Sequence, residues 1–452
     1  MPIETISGTE LTYLLAAFDE QGRERADDPD GSMVRRAIDT VRATPVTDVF
    51  IFTHGWMGDI PAARDQYVRW IGAMTGNAAD VAAMKSARPG FLPLSIGVHW
   101  PSLPYGDGSL GTPPAASFDV MGGEGAVPSL APASREALVD EAAAKTVDTP
   151  AARGALHVIF ESARQNAAAA ELPPEVVAAY ETLDREIGLG AGGPEAAPSD
   201  DREPFDPEVA FETAAQDVPS FGFFSSIGDG LLAPLRTLSF WTMKDRARKL
   251  GEGQGHRLLA GLRAAADESG RDLRIHLMGH SFGCIVVSAM TAGPSATSPA
   301  VPIDSLALIQ GAFSLWSYTA TIPYGAGGPG YFRRVLDGRV RGPIIVTRTS
   351  FDRAVGTWYP WAAGSARQVD FAGTELPKDG AVGAFGKRGP GIEIVDLPLG
   401  PVDADYGFTA GKLYNFQCSD VINQGGGASG AHSDFAKPRV AHAVWQAAGA
   451  RA

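Results

Sequence analysis

The sequence predicts an α/β protein with a mainly parallel β-sheet that carries helices on both faces. Short apolar runs alternate with helical patterns in two regions, one before residue 101 and one after residue 226. This alternation is typical of parallel strands joined by helical crossovers. Several of the runs are apolar at consecutive positions, as in strands that are covered on both faces.

The first region predicts three strands and two helices. The strands are expected at residues 11–18, 48–53 and 91–100. One helix is expected at 32–43 and the other directly after the second strand. Pro61 lies in the first turn of this second helix, where its missing N–H is harmless. One face of the same helix is apolar and consists of Tyr67, Trp70, Ile71 and Met74.

The composition changes after Pro101. Residues 102–225 are rich in Ala, Pro, Gly and Glu and lack convincing strand patterns, so we expect a largely helical insertion in a core formed by 1–101 and 226–452. Its helices are expected at 137–146, 155–171 and 174–188, with a loop or linker at 188–207. Ligands of open α/β sheets bind beyond the carboxyl ends of the strands. An insertion that follows Trp100 would therefore emerge on that side, as a cap over the site.

The second region predicts a long helix followed by further strands. The helix covers about 236–268 and is expected to break near the Gly-rich stretch 251–255. Strands are expected at 273–278, 305–313, 343–350 and 392–398, with 413–419 as a further candidate. Helices are expected at 284–290 and 438–449.

Residues 221–249 contain an apolar stretch and then a basic one. The apolar stretch is suited either to an acyl-binding site or, more commonly, to packing against the insertion; its large side chains are Phe221, Phe223, Phe224, Leu231, Leu232, Leu235, Phe240 and Trp241. The basic stretch is expected to form a solvated helix face with Lys244, Arg246, Arg248 and Lys249.

Ser281 lies in the pattern Gly-x-Ser-x-Gly, between the apolar stretches "LRIHLM" and "CIVVSAM". A catalytic serine must project from the scaffold and must have a base nearby, and a tight turn from strand to helix provides the projection. Such a turn requires small residues two positions to either side, and Gly279 and Gly283 occupy those positions. The pattern also occurs by chance in ordinary turns, so its position between a strand and a helix is what favours catalysis.

The stretch "FTHGWMGD" is suited to the oxyanion hole that an acyl-transfer site requires. Two backbone N–H groups must face the oxygen that becomes charged, one from the residue after the nucleophile and one from a loop after an earlier strand. Phe282 is the candidate for the first group and Trp56 for the second, and Gly55 allows a close approach of the backbone. The alternative is a plain turn at the end of a strand.

Taken together, these features resemble the α/β-hydrolase family: a His-Gly loop after one strand, an insertion, a Gly-His-Ser-x-Gly turn, an acid after a later strand and a histidine near the C-terminus. The resemblance covers roughly 44–101 and 226–452 and does not extend to the insertion. It implies a Ser-His-Asp triad in the chain order nucleophile, acid, histidine.

The resemblance places the acid and the base downstream of Ser281. Asp352 follows a predicted strand and is the preferred acid; its competitors are Asp370, Asp396 and Asp403. His432 lies in a Gly-rich loop before the last helix and is the preferred base. His442 is the alternative, although it lies within that helix.

The resulting expectation is a serine hydrolase that cleaves carboxylic esters through an acyl-enzyme. A peptidase, an amidase and an acyltransferase remain alternatives, because the serine turn does not distinguish their leaving groups. A non-catalytic binding protein with the same fold is the alternative from another class.

Charge and composition narrow the possible partners. The net charge of −14 over 452 residues disfavours nucleic acid and leaves a small ester or acyl compound as the expected ligand. We expect no integral membrane segment, and the two cysteines, Cys284 and Cys418, suggest free thiols in the cytoplasm. No metal site is expected, because neither a His-Glu-x-x-His spacing nor a paired set of cysteine ligands occurs. No dinucleotide cofactor is expected either, because the Gly-x-Gly-x-x-Gly matches at Gly188, Gly325 and Gly425 lack the flanking strand and helix.

Overall fold

A computed structural model describes most of the chain. The described residues are 3–6, 11–56, 58–102, 135–165, 170–190, 197–198, 201–214, 230–325, 327–359, 376–426 and 429–450. Parts of the expected insertion lie outside these ranges, as do Phe221, Phe223, Phe224 and the alternative acid Asp370.

Nine strands form one sheet within the described ranges. They are β1 (Ile3–Thr5), β2 (Thr12–Ala17), β3 (Asp48–Thr53), β4 (Pro93–His99), β5 (Arg274–His280), β6 (Ser305–Ile309), β7 (Ile344–Arg348), β8 (Ile394–Pro398) and β9 (Leu413–Gln417). Their order across the sheet is β1-β2-β4-β3-β5-β6-β7-β9-β8. Only the pair β1–β2 is antiparallel. The predicted α/β class with a mainly parallel sheet is confirmed, and both candidates for the last strand are strands.

Helices connect most of these strands. They are α1 (Met33–Ala43), α2 (Ile60–Gly76), α3 (Ala78–Ala87), α4 (Arg135–Lys145), α5 (Pro150–Gln165), α6 (Pro174–Ile187), α7 (Pro207–Ala214), α8 (Ala233–Leu250), α9 (His256–Glu268), α10 (Gly283–Ala292), α11 (Val382–Phe385) and α12 (Pro438–Gly449). Side chains cap the first two helices: Ser32 accepts a hydrogen bond from the Arg35 N–H, and Asp59 accepts one from the Ala62 N–H. None of the described helices is long and apolar enough to cross a membrane.

The central strand β3 shows why both faces of the sheet are covered. All six of its residues are buried. Val49 and Ile51 pack on the face that carries α1, α8, α9 and α10, whereas Phe50 and Phe52 pack on the face that carries α2, α3 and α12. Successive side chains of a strand point to opposite faces, so an unbroken apolar run requires helices on each. Burying each such side chain contributes about 1.5–3 kcal/mol.

Helix α8 contacts two apolar cores. Leu235 and Leu238 pack with helices α4 to α7, which form a cluster of their own. Phe240, Trp241 and Met243 pack with the sheet and its helices. This single helix therefore joins the helical segment α4–α7 to the sheet.

The expectation of a solvated basic face on α8 is wrong for most of its residues. Lys244 is fully buried, and its Nζ donates to Tyr359 Oη at 3.1 Å and lies 3.9 Å from the centroid of the Trp241 ring. Arg248 pairs with Asp245 at 2.7 Å. Only Lys249 has a largely exposed side chain. Because α8 lies between two packed layers, most of its charged side is covered as well.

Several elements differ from the sequence prediction. The short strand β1 and the helices α3 and α7 were not predicted. The Gly-rich stretch Gly251–Gly255 does not break the long helix but continues it as a π-helical turn. A β-carbon at Gly251 would lie 2.4 Å from Val286 O, so glycine here permits close packing against α10. β6 ends four residues earlier than predicted, because Gln310 adopts a left-handed backbone with φ 47°.

Candidate active site

Ser281 lies in the turn between β5 and α10 and has φ 55°, a left-handed conformation that is strained for a side chain other than glycine. Its N–H donates to Ile309 O at 3.0 Å, and its carbonyl accepts from Cys284 N at 3.1 Å. Such strain typically costs about 1–3 kcal/mol and persists only where the surroundings hold it. Here both peptide groups of the serine are held by neighbouring backbone.

The two glycines around Ser281 allow this turn to close. A β-carbon at Gly279 would lie 2.4 Å from Gly283 O. A β-carbon at Gly283 would lie 2.3 Å from Thr53 O, at the end of β3. Any larger residue at either position would push the start of α10 away from the sheet.

The loop after β3 lies directly against Ser281. A β-carbon at Gly55 would stand 2.6 Å from Ser281 Cβ and 3.2 Å from Ser281 Oγ. The next residue, Trp56, stacks its ring on that of Phe282 with 5.9 Å between centroids. The structure therefore brings the two expected oxyanion-hole residues to the serine turn.

The peptide between Gly55 and Trp56 has a fixed orientation. Its carbonyl oxygen accepts from His54 Nδ1 at 2.9 Å. The Ser102 hydroxyl lies 3.0 Å from this oxygen and 3.0 Å from Gly58 O, and it accepts from the Gly58 N–H at 2.8 Å. The described chain has no cis peptide bond, so the Trp56 N–H points away from that carbonyl. Neither this N–H nor that of Phe282 donates to another described residue.

His54 holds this loop as a neutral side chain. Its Nε2 accepts from the Trp100 N–H at 3.2 Å and lies 3.0 Å from His99 Nδ1, while its backbone N–H donates to Tyr67 Oη at 3.0 Å. An Nε2 that accepts carries no proton, so Nδ1 carries the proton donated to Gly55 O. Burial lowers the pKa of His54 well below its usual range, and the neighbouring His99 lowers it further.

Asp352 and His432 form a buried pair. Asp352 follows β7, and its Oδ2 lies 2.7 Å from His432 Nδ1. Its other oxygen accepts from the Val355 N–H at 3.2 Å. The two loops also pair through backbone, since Ala431 N donates to Phe351 O at 2.9 Å. With Nδ1 donating to the carboxylate, Nε2 of His432 is left free to accept a proton.

His280 connects this pair to the serine turn. Its Nε2 donates to His432 O at 2.9 Å, and its ring lies 4.8 Å from the His432 ring and 4.3 Å from the Phe435 ring. Burial lowers the pKa of His280 well below its usual range, and the adjacent His432 adds to this effect. The structure shows no hydrogen bond between Ser281 and His432, whose Nδ1 contacts Asp352 instead.

Gln310 contacts the acid and was not among the expected site residues. Its Nε2 donates to Asp352 Oδ2 at 2.8 Å, so this oxygen has two donors. Gln310 directly follows β6, which lies beside the strand that leads to Ser281. The sequence signal for Gln310 is a polar residue at the carboxyl end of a strand. That signal indicates a site residue only once the order of the strands in the sheet is known.

The alternative acids and base have other partners. His442 contacts Asp80 through Nδ1 at 2.8 Å and Ala404 O through Nε2 at 2.7 Å, between α12 and α3. Asp396 lies in β8 and pairs with Arg388 at 2.7 and 2.8 Å. Asp403 is exposed.

The rings of Trp56, Phe282 and Phe240 pack together and form an aromatic wall at the two expected oxyanion-hole residues. Phe240 of α8 lies 5.4 Å from the Trp56 ring and 5.0 Å from the Phe282 ring. Trp56 itself is only partly buried. No group of three or more His, Cys, Asp or Glu in the described ranges is arranged to hold a metal ion.

We compared the chain with known protein families, curated proteins and solved structures, and none of the three comparisons found a match.

Proposed function

We propose that this protein is a serine hydrolase with an α/β-hydrolase fold, which cleaves carboxylic esters through an acyl-enzyme. The observation that carries the proposal is the strained turn at Ser281, with Gly55 packed against the serine and the His432–Asp352 pair in contact with the preceding residue, His280. Backbone strain of this kind clusters at functional sites.

The sheet order supports a common location for these residues. The strands β3, β5, β6, β7 and β9 are consecutive neighbours and all run parallel. Their carboxyl ends therefore meet at one edge of the sheet, where ligands of open α/β sheets bind. Trp56, Ser281, Gln310, Asp352 and His432 all follow the ends of these strands.

In the proposed reaction, His432 Nε2 removes the hydroxyl proton of Ser281 while Oγ forms a bond to the ester carbonyl carbon. The carbonyl oxygen becomes an oxyanion and accepts from the N–H groups of Trp56 and Phe282. Asp352 holds Nδ1 protonated and stabilises the imidazolium. The C–O bond of the ester then breaks, and the alcohol leaves with the proton from His432. Water repeats the sequence on the acyl-enzyme and releases the acid.

The helices α4 to α7 are proposed to be an insertion that caps the site. They lie in the chain between β4 and β5, and α8 joins their core to the sheet. The same helix contributes Phe240 to the aromatic wall at Trp56 and Phe282. This wall is suited to the apolar part of a small acyl or ester substrate.

A fluorophosphonate probe tests the proposal, because it forms an adduct with an activated serine. We expect an adduct on Ser281 that is lost in Ser281→Ala and kept in Ser350→Ala, whose serine is exposed. A panel of esters of graded acyl length, with matched amides and acyl acceptors, then separates esterase from amidase and acyltransferase. A folded native protein that takes up no probe and turns over no substrate would contradict catalysis and favour a binding protein.

A further inference from the structure

Gln310 shares a rare backbone conformation with Ser281. In the described chain these two residues are the non-glycine residues with positive φ, at 47° and 55°. Gln310 is fully buried. A β-carbon at Gly383 would lie 2.8 Å from its carbonyl carbon, so the neighbouring backbone encloses it closely. Backbone strain persists only where the surroundings hold it, so the contacts of the Gln310 side chain are the place to look for its cause.

The side-chain amide of Gln310 has a defined orientation. Thr347 Oγ1 donates to Gln310 Oε1 at 3.0 Å, and the same hydroxyl accepts from the Gln310 backbone N–H at 3.0 Å. The pairing of β6 with β7 places Thr347 beside Ile309, directly before Gln310. With Oε1 engaged as an acceptor, the NH2 group is the end that faces Asp352 Oδ2, at 2.8 Å.

Gln310 thus touches both halves of the proposed machinery. The residue before it, Ile309, accepts the backbone N–H of Ser281 at 3.0 Å. Its own amide donates to the carboxylate oxygen that His432 Nδ1 contacts at 2.7 Å. We propose that Gln310 is a positioning residue, which fixes Asp352 and through it the orientation of His432. This inference rests on the proposed function.

The hydrogen bond from Gln310 helps to hold the Asp352 carboxylate in place. Without it, His432 Nδ1 is the remaining described donor to Asp352 Oδ2, so the carboxylate is held less firmly against the imidazole.

Gln310→Met tests the inference, because methionine has similar length and the same backbone preference but no donor. We expect kcat/KM for an ester to fall about tenfold or more, as for loss of a hydrogen bond to a charged group, with KM nearly unchanged. Gln310→Gly relieves the strained backbone and is expected to be equally slow, which separates strain from the amide.

Thr347 provides a matched pair that leaves Gln310 in place. Thr347→Val removes the hydroxyl that orients the amide and is expected to lower kcat/KM in the same way, whereas Thr347→Ser keeps the hydroxyl and should behave as the native protein. This pair also serves if Gln310→Met fails to fold.

Proton NMR gives a readout that does not depend on turnover. The Nδ1 proton of His432, assigned by its loss in His432→Gln, is expected at low field and should move in Gln310→Met. If Gln310→Met folds and shows both an unchanged resonance and native kinetics, the positioning role is overturned. If Gln310→Met does not fold, native kinetics in Thr347→Val overturns it instead. Failure of the proposed function looks different, since the native protein would then take up no fluorophosphonate.

Discussion

Gly55 lies so close to Ser281 that a β-carbon at residue 55 would stand 2.6 Å from Ser281 Cβ. The loop after β3 and the turn after β5 are therefore in direct contact, with no room for a side chain between them. The Trp56 N–H, on the far side of the same peptide, depends on this contact for its position.

Gly55→Ala is expected to lower kcat by about 10²–10³-fold, the usual loss for one oxyanion-hole donor. The added methyl group forces the loop away from Ser281 and carries the Trp56 N–H with it. Initial rates on an ester and circular dichroism measure the effect. Gly72→Ala is the control, since Gly72 lies in α2 with nothing within 4 Å of its β-carbon position. Native-like kinetics in Gly55→Ala would remove the proposed oxyanion role of this loop.

His432→Ala and His442→Ala are expected to affect different properties, turnover in the first and stability in the second. The first removes the proposed base and lowers kcat by several powers of ten while leaving the fold intact. The second removes the partner of Asp80 from a buried contact and lowers the free energy of unfolding by about 1–3 kcal/mol, without changing kcat per folded molecule. Denaturant titration and active-site-normalised rates separate the two. Equal losses of turnover, with both variants folded, would refute the base assignment.

Ser102→Ala is expected to lower kcat by up to about 10²-fold, with little change in KM. The Ser102 hydroxyl accepts from Gly58 N and lies 3.0 Å from the Gly55 carbonyl, so its loss loosens the peptide that carries the Trp56 N–H. Steady-state kinetics on one ester measures both constants. Ser350→Ala is the control, since Ser350 is exposed. A change in KM alone would assign Ser102 to substrate binding instead.

The stability of the protein is expected to fall as pH drops below about 6.5, the ordinary pKa of histidine. Burial lowers the pKa of His280 well below this value, so in acid the unfolded chain binds a proton that the folded chain does not. The free energy of unfolding therefore rises with pH between the folded and unfolded pKa values, by at most about 1.4 kcal/mol per pH unit for one group.

His280→Phe tests this dependence, because it keeps an aromatic ring against Phe435 and removes the titrating group. Urea titrations between pH 5 and pH 7 should give a shallower dependence on pH for the variant than for the native protein. Parallel curves would show that His280 does not contribute.

Much of the fold and part of the candidate site were predictable because their signals are local. The apolar run at 48–53 matches β3, and helix α1 begins within one residue of its predicted start. The turn at Ser281 is recognisable because its glycines lie two residues to either side, at the positions where neighbouring backbone leaves no room for a side chain. The short strand β1 has three residues and pairs only with β2, so no periodic pattern reveals it.

Gln310 could not be identified from the sequence, because its contacts depend on the neighbouring strand β7. Its contact with Asp352 requires β6 to lie beside β7, and its amide orientation requires the register that places Thr347 next to Ile309. Lys244 illustrates the same limit, since its burial follows from the packing of α8 between two layers.

The amino-acid sequence alone determined the α/β class, most strands and the position of the serine turn, since each depends on residues a few positions apart. The tertiary structure decided which histidine meets which carboxylate: His432 contacts Asp352, and His442 contacts Asp80. These partners lie 80 and 362 residues apart along the chain. The physical reason is that strand order and register, which are properties of the whole sheet, set the distances between side chains on separate loops.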